Sequence, residues 1–187
     1  MSISNISKKQ IQNRNFLSPT GFEFVLNRCP KVPFFSNLAN IPGITLGTAI
    51  QPTYLKDIDT PGDKIVFDDF SLKFLVDENL ENYMEIQNWI RGLGYPKNLN
   101  EIYKLQKESK NYDASNIKTM NIYSDGTLTV LGSSMNPNFK VKFHDLWPYN
   151  LTTLSFDATD TSIEYFTAEV SFKYTIYEIT DLRGNPL

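Results

Sequence analysis

The run Ile163–Ile179, IEYFTAEVSFKYTIYEI, constrains this chain more than any other stretch. Phe166, Ala168, Val170, Phe172, Tyr174 and Ile176 recur at every second position. A period of two sends alternate side chains to opposite faces of a sheet, so the run reads as β structure. The intervening set is polar at first (Thr167, Glu169, Ser171, Lys173, Thr175) and turns aromatic at Tyr177. The run is too long for an ordinary strand of about five or six residues. A long strand with two distinct faces suits a sheet that packs on its own core and also meets a neighbouring subunit. A polar turn, Asp157–Ser162, separates it from a strand-like run that begins at Lys142. No catalytic chemistry requires this pattern.

The 187 residues fit one domain spanning 1–187, with an arm at 1–15 and a tail at 180–187. Apolar residues make up 41% and charged residues 21%, enough to build a globular core. The 13 Phe, 10 Tyr and 2 Trp, with the Val, Ile and Thr, favour strands. A net charge of −3 argues against tight binding to a nucleic-acid backbone, which needs a concentrated basic surface. Cys29 is the single cysteine, so no intramolecular disulfide forms, and a reducing compartment during folding is expected. No run of 18 apolar residues is present, so no membrane partner is expected. The polar start, MSISNISKKQIQNRNF, has no secretory signal core. It reads as a flexible arm or as one that orders against a neighbour.

Along the chain, Gly21–Asn27 alternates and is expected to be the first strand, ended by Pro30 and Pro33. Phe34, Phe35 and Leu38 are expected in an apolar loop. Pro42-Gly43 reads as a type II turn. Thr45–Gln51 and Thr53–Asp57 look extended on either side of Pro52, and Pro61-Gly62 reads as the next turn. Lys64–Val76 then alternates as one strand. Asp77 suits an N-cap for a helix over about 78–92, with an apolar face of Leu80, Tyr83, Met84, Ile86, Trp89 and Ile90. A second helix is expected over about 98–110. Asp125-Gly126 is a favoured type I′ pair and predicts a hairpin between Ile117–Tyr123 and Thr127–Leu131. Phe139–Phe143 alternates strictly and leads into Leu146-Trp147-Pro148. The sum is mainly β: an antiparallel sandwich or barrel with one flanking helix and a possible second.

The search for catalytic groups finds little. His144 is the only histidine and has no nucleophile matched to it, so it reads as packed or solvent-facing. Asp68 and Asp69 are adjacent, and on a strand they face opposite sides and cannot share a metal. Asp125, Asp157 and Asp160 lie in turn contexts. Lys104, Lys107 and Lys110 form a stripe diluted by Glu101 and Glu108. No catalytic residue, cofactor site or metal site is expected. Two classes remain open on these grounds: a self-assembling structural β protein, or a monomeric carbohydrate- or ligand-binding sandwich with surface aromatics.

Two segments carry a resemblance. Pro61-Gly-Asp-Lys-Ile-Val-Phe-Asp-Asp-Phe70, running through Leu75-Val-Asp-Glu-Asn79 to Trp89, is similar to the tail tube proteins of contractile-tailed bacteriophages. So is Leu146-Trp147-Pro148, followed by Asn150 and two closing strands. Phe67, Asp68, Asp69, Phe70, Trp89, Leu146, Trp147, Pro148, Phe166 and Phe172 are the motif and core positions. The resemblance implies a β-sandwich with a flanking helix. Copies would form six-fold rings that stack into the inner tube of a virion tail, after assembly in the host cytoplasm. DNA would pass through the lumen without specific binding. The partners would be further copies, the tail sheath protein, and baseplate or tube-end proteins. A baseplate or tube-initiator role in the same family is the alternative. Thr167, Glu169, Ser171 and Lys173 would face the lumen or an interface, and Tyr54 and Leu55 would lie in a loop that meets neighbouring rings.

Overall fold

Two antiparallel sheets share one strand. A computed structural model describes residues 16–94, 96–98, 100–107, 122–156 and 165–187. The shared strand is β7 (Pro137–Leu151). Its first part pairs with β6 (Ser124–Leu131) and with β9 (Ile176–Thr180). From Trp147 onward it pairs with β8 (Thr167–Lys173). Between these parts Asp145 takes φ 55, a left-handed conformation that turns the strand, and its N–H donates to Asp125 Oδ1 at 3.4 Å. The first sheet ends at β1 (Phe22–Leu26), beyond β6. The second continues from β8 to β5 (Phe70–Leu75) and ends at β2 (Ser36–Ala39). The fold is a mainly β sandwich, and the sheets do not close into a barrel.

Alternation builds the core. Phe24 and Leu26, Leu128 and Val130, Val141, Phe143 and Leu146 line the inner side of one sheet. Phe70, Leu72 and Phe74 on β5, with Ala168, Val170 and Phe172 on β8, line the other and are fully buried. Ring contacts centre on Phe70, which lies 4.5 Å from Phe143, 5.0 Å from Phe24 and 5.9 Å from Phe172.

Helix α1 is a single turn, Lys31–Phe34. Helix α2 (Glu81–Gly94) lays Ile86, Trp89 and Gly92 on the core, and α3 (Asn100–Lys107) follows. The Trp89 ring approaches Phe172 at 6.3 Å, and its Nε1–H donates to the Ile122 carbonyl at 3.0 Å. Arg91 pairs with Glu101 at 2.8 Å and ties α2 to α3. Helix α2 begins three residues later than expected. Asp77 does not cap it: its carboxylate accepts from the Asn79 N–H in a turn, and Leu80 takes φ 59. The buried Asn82 does the joining. Its Nδ2 donates to Leu75 O at 2.8 Å and its Oδ1 accepts the Asp77 and Tyr83 N–H groups. Leu80 and Met84, expected on the buried face, are exposed.

Several other expectations are corrected. Asp125-Gly126 is not a hairpin turn but lies inside β6, between β1 and β7. Glycine suits that position because a Cβ would crowd the Phe24 ring at 3.0 Å. The hairpin turn is Gly132–Asn136, closed by Gly132 N–H to Asn136 O at 2.8 Å. Lys64–Val76 is not one strand. It is cut at Asp68-Asp69, with β4 (Ile58–Phe67) before the cut and β5 after it, in different sheets. Pro61-Gly62 lies within β4, not in a turn, while Thr53–Asp57 is a turn, not a strand. Phe34 closes α1, and Leu38 belongs to β2. The long run is two strands, β8 and β9, broken at Tyr174-Thr175. The arm, Asp157–Ser162, most of Ile117–Tyr123 and the far end of the second helix lie outside the described residues.

Candidate assembly surface

The sequence between Pro42 and Asp68 builds a third, separate sheet. Among the described residues, strand β3 (Ile44–Gln51) and β4 pair only with each other. Apolar residues are spaced so that neither face is polar. Cross-strand partners share a face, so Leu46 and Ile65 lie on one side and Thr45 and Val66 on the other. Ile50 and Ile58 likewise lie on opposite sides. All of these apolar side chains are about half exposed or more. A loop turned by contacts between Thr53 and Lys56 carries Tyr54 and Leu55, both more than nine-tenths exposed. Halfway along, Gly62 crosses Gly47 so closely that a Cβ on Gly62 would lie 2.5 Å from the Gly47 carbonyl oxygen. Pro61 is tolerated beside it because the far edge of β4 has no strand partner among the described residues. An isolated two-stranded sheet is marginal in water. Burying the exposed part of each apolar side chain against another surface contributes on the order of 1 kcal/mol.

The hairpin root is fixed where Phe67-Asp68-Asp69-Phe70 crosses into the body. Asp68 N–H donates to Gly43 O at 3.0 Å. Asn40 bridges the next turn, donating to Asp69 O at 3.1 Å and accepting the Ser71 N–H at 2.6 Å. Phe70 is core, whereas Phe67 packs on Tyr174 and Tyr177. The Asp69 carboxylate pairs with Lys173 and accepts the Tyr149 hydroxyl at 2.5 Å. Those bonds hold the Asp69 carboxyl below the usual carboxylate range, Lys173 first and Tyr149 second. They raise the Lys173 ammonium and the Tyr149 hydroxyl in turn. Asp68 points elsewhere, towards Gly43, so the two carboxylates form no shared site.

Thr167, Glu169, Ser171 and Lys173 alternate with the buried residues of β8 and lie on its outer face. Ser71 stands opposite Ser171 and Lys73 opposite Glu169, which makes this face of the second sheet polar with both signs of charge. Leu146 is fully buried, Trp147 half-buried, and Pro148 buried opposite Phe172, where β7 changes sheet. Phe166 sits at the rim rather than in the core, 39% exposed and stacked on Phe156 at 4.7 Å. The His144 ring lies 3.9 Å from the Glu178 carboxylate, both at the surface. The Cys29 thiol is pushed up to about 12, chiefly by burial and then by Glu85, which leaves it unreactive. Among the described residues no three His, Cys, Asp or Glu side chains are grouped to hold a metal. No described helix is long and apolar enough to cross a membrane.

A profile of the family described as "Phage tail tube protein" matches residues 5–180. The chain belongs to the phage tail tube protein family. It is thus a structural tail tube protein. A search of curated proteins gives no match. The fold is similar to a chain of the tube-terminating cap of the anti-feeding prophage, at TM-score 0.56 and 16% identity, covering 94% of this chain and 98% of that one. A chain of the six-fold symmetrised baseplate of the same particle gives 0.55 at 10% identity, covering 92% and 99%. A chain from the sheath–tube complex of the PVC contractile injection system, in its extended state, gives 0.53 at 16%, covering 97% and 99%. At these identities the likeness is one of fold. Sequence reasoning missed the hairpin as a unit, since its two strands were assigned to different pieces of the chain. The available signal was that Ile44, Leu46, Ile50, Ile58, Ile65 and Val66 follow no single alternation that would put them all on one face.

Proposed function

We propose that this chain is the repeating subunit of a contractile-tail tube, assembling into six-fold rings that stack around a DNA-conducting lumen. The observation that carries the reading is the β3–β4 hairpin, which exposes large apolar side chains on both faces and pairs with no other strand among the described residues. A surface of that kind in a stable protein is buried by a partner. Head-to-tail contacts close into rings when the rotation between copies divides the circle. The edge strands β1, β2 and β9 each pair with one strand only among the described residues, and a closed ring removes such edges. The hairpin, with Tyr54 and Leu55 at its tip, and the arm 1–15 reach into neighbouring rings. The face with Thr167, Glu169, Ser171 and Lys173 lines the lumen, where mixed charge and hydroxyls let DNA slide without being held. The role is mechanical and has no catalytic step. A sheath subunit covers the outside, and baseplate or tube-end proteins cap the stack. A place at the tube end instead of its body is the second reading, supported by the similarity to a cap chain and a baseplate chain. Purified full-length protein, followed by light scattering and negative-stain microscopy as concentration rises, tests this. Six-fold rings and tubes are expected; a monomer at every concentration would contradict it.

A further inference from the structure

Tyr174 and Tyr177 are three residues apart, and in a continuous strand they would point to opposite faces. The break between β8 and β9 removes that constraint. Thr175 N–H turns to His144 O at 3.0 Å, and the two rings come to lie 6.0 Å apart on the same side. Both rings pack on the fully buried Phe143, at 5.3 and 5.9 Å, and both pack on Phe67 at the hairpin root, at 6.0 and 5.6 Å. Their hydroxyls reach past Phe67 to the backbone on each side of the hairpin. Tyr174 donates to the Asp68 carbonyl at 2.8 Å, just after β4. Tyr177 donates to the carbonyl of the buried Pro42 at 3.1 Å, just before β3. The hairpin thus has one tyrosine hydroxyl on each of its two legs.

We infer that Tyr174 and Tyr177 are positioning residues that clamp the β3–β4 hairpin at a fixed angle to the sandwich. The inference rests on the reading of the hairpin as the arm that docks on another copy. Without the clamp the arm would have to be ordered at the moment of docking, and that entropy cost would weaken association. Preorganisation matters here because, among the described residues, the hairpin has no strand partner other than itself beyond its root. The clamp also gives the β8–β9 break a purpose: it sets two aromatic side chains side by side where an unbroken strand could not.

The test uses the full-length chain with Tyr174→Phe and Tyr177→Phe combined. This removes two hydroxyls and keeps both rings. Leu55→Asp at the tip is made in parallel. Amide hydrogen exchange is read on the unassembled protein, and the concentration needed for tube formation by light scattering. In the double variant, exchange across Ile44–Gln51 and Ile58–Asp68 is expected to quicken about tenfold, as expected for two lost hydrogen bonds. Exchange in β5 and β8 stays as in the wild type, and the threshold for assembly rises by a similar factor. If Leu55→Asp blocks assembly while the double variant matches the wild type in either readout, the clamp is refuted and the docking arm stands. If Leu55→Asp assembles normally, the docking arm itself fails and the clamp has no role in assembly.

Discussion

The β5–β8 pair and the β3–β4 pair use similar residues to opposite ends. In β5 and β8 the apolar residues fall strictly on one face, and every one of them from Phe70 to Phe74 and from Ala168 to Phe172 is fully buried. In β3 and β4 the apolar residues fall on both faces, and beyond Phe67 at the root the large ones are exposed. The first arrangement stabilises a monomer. The second gives a monomer almost nothing and, on the proposed reading, is the surface that docks on another copy. Strand pairing alone therefore does not distinguish a core from an interface; what lies behind the strand does.

The sharpest way to break this comparison is a charge in each region. Phe172→Asp places a carboxylate against Phe70, Trp89 and the rest of the core, at a cost of several kcal/mol. It is expected to abolish the cooperative thermal transition. Phe166→Asp, three repeats of the alternation away but at the rim, should cost under about 1 kcal/mol in a denaturant titration. Equal loss from both would contradict the burial described. Asn82→Ala comes next, because it strands the Leu75 carbonyl and two N–H groups at the junction of β5 and α2. About 1–3 kcal/mol is expected by urea unfolding. Ile50→Asp in the hairpin should change monomer stability by no more than about 0.5 kcal/mol, yet prevent tube formation in pelleting assays.

The smallest effect concerns Asp69. Its carboxyl is held below the ordinary value of 3.8 by Lys173 and then Tyr149. A carboxylate with a lowered folded pKa adds stability above its unfolded pKa and loses it as pH falls through the folded value. Asp69→Asn should therefore lower the melting temperature slightly at pH 7, and the gap to the wild type should close below about pH 3. A gap that stays constant down to pH 2 would show that the ion pair contributes nothing.

The sandwich was largely legible in the sequence because alternation reports directly on which face is buried. Phe70–Val76, Ala168–Phe172 and Phe139–Phe143 all follow it, and helix α2 follows its own period. What misled was local chemistry serving a distant contact. Asp125-Gly126 has turn-forming residues, but the glycine makes room for Phe24 and the aspartate accepts from Asp145. Pro61-Gly62 looks like a turn, but the glycine makes room for Gly47 across the hairpin. From Thr167 the run keeps its period of two through Tyr174, and the break after it shifts Tyr177 inward and Ile176 outward. No spacing rule signals that break; the two tyrosines do, once both are seen to face Phe67. The polar face of β8 was legible, but its neighbours Ser71 and Lys73 come from a strand about a hundred residues earlier.

The central claim is that the hairpin is a docking arm buried by another copy. Hydroxyl-radical footprinting of the full-length chain, before and after tube assembly, tests it most directly at Tyr54 and Leu55. Both side chains stand almost wholly in solvent in the single chain. The account predicts strong labelling of both in the monomer and near-complete protection in the tube, with Lys173 and Glu169 on β8 still reachable from the lumen. Equal labelling of Tyr54 and Leu55 in both states would contradict it.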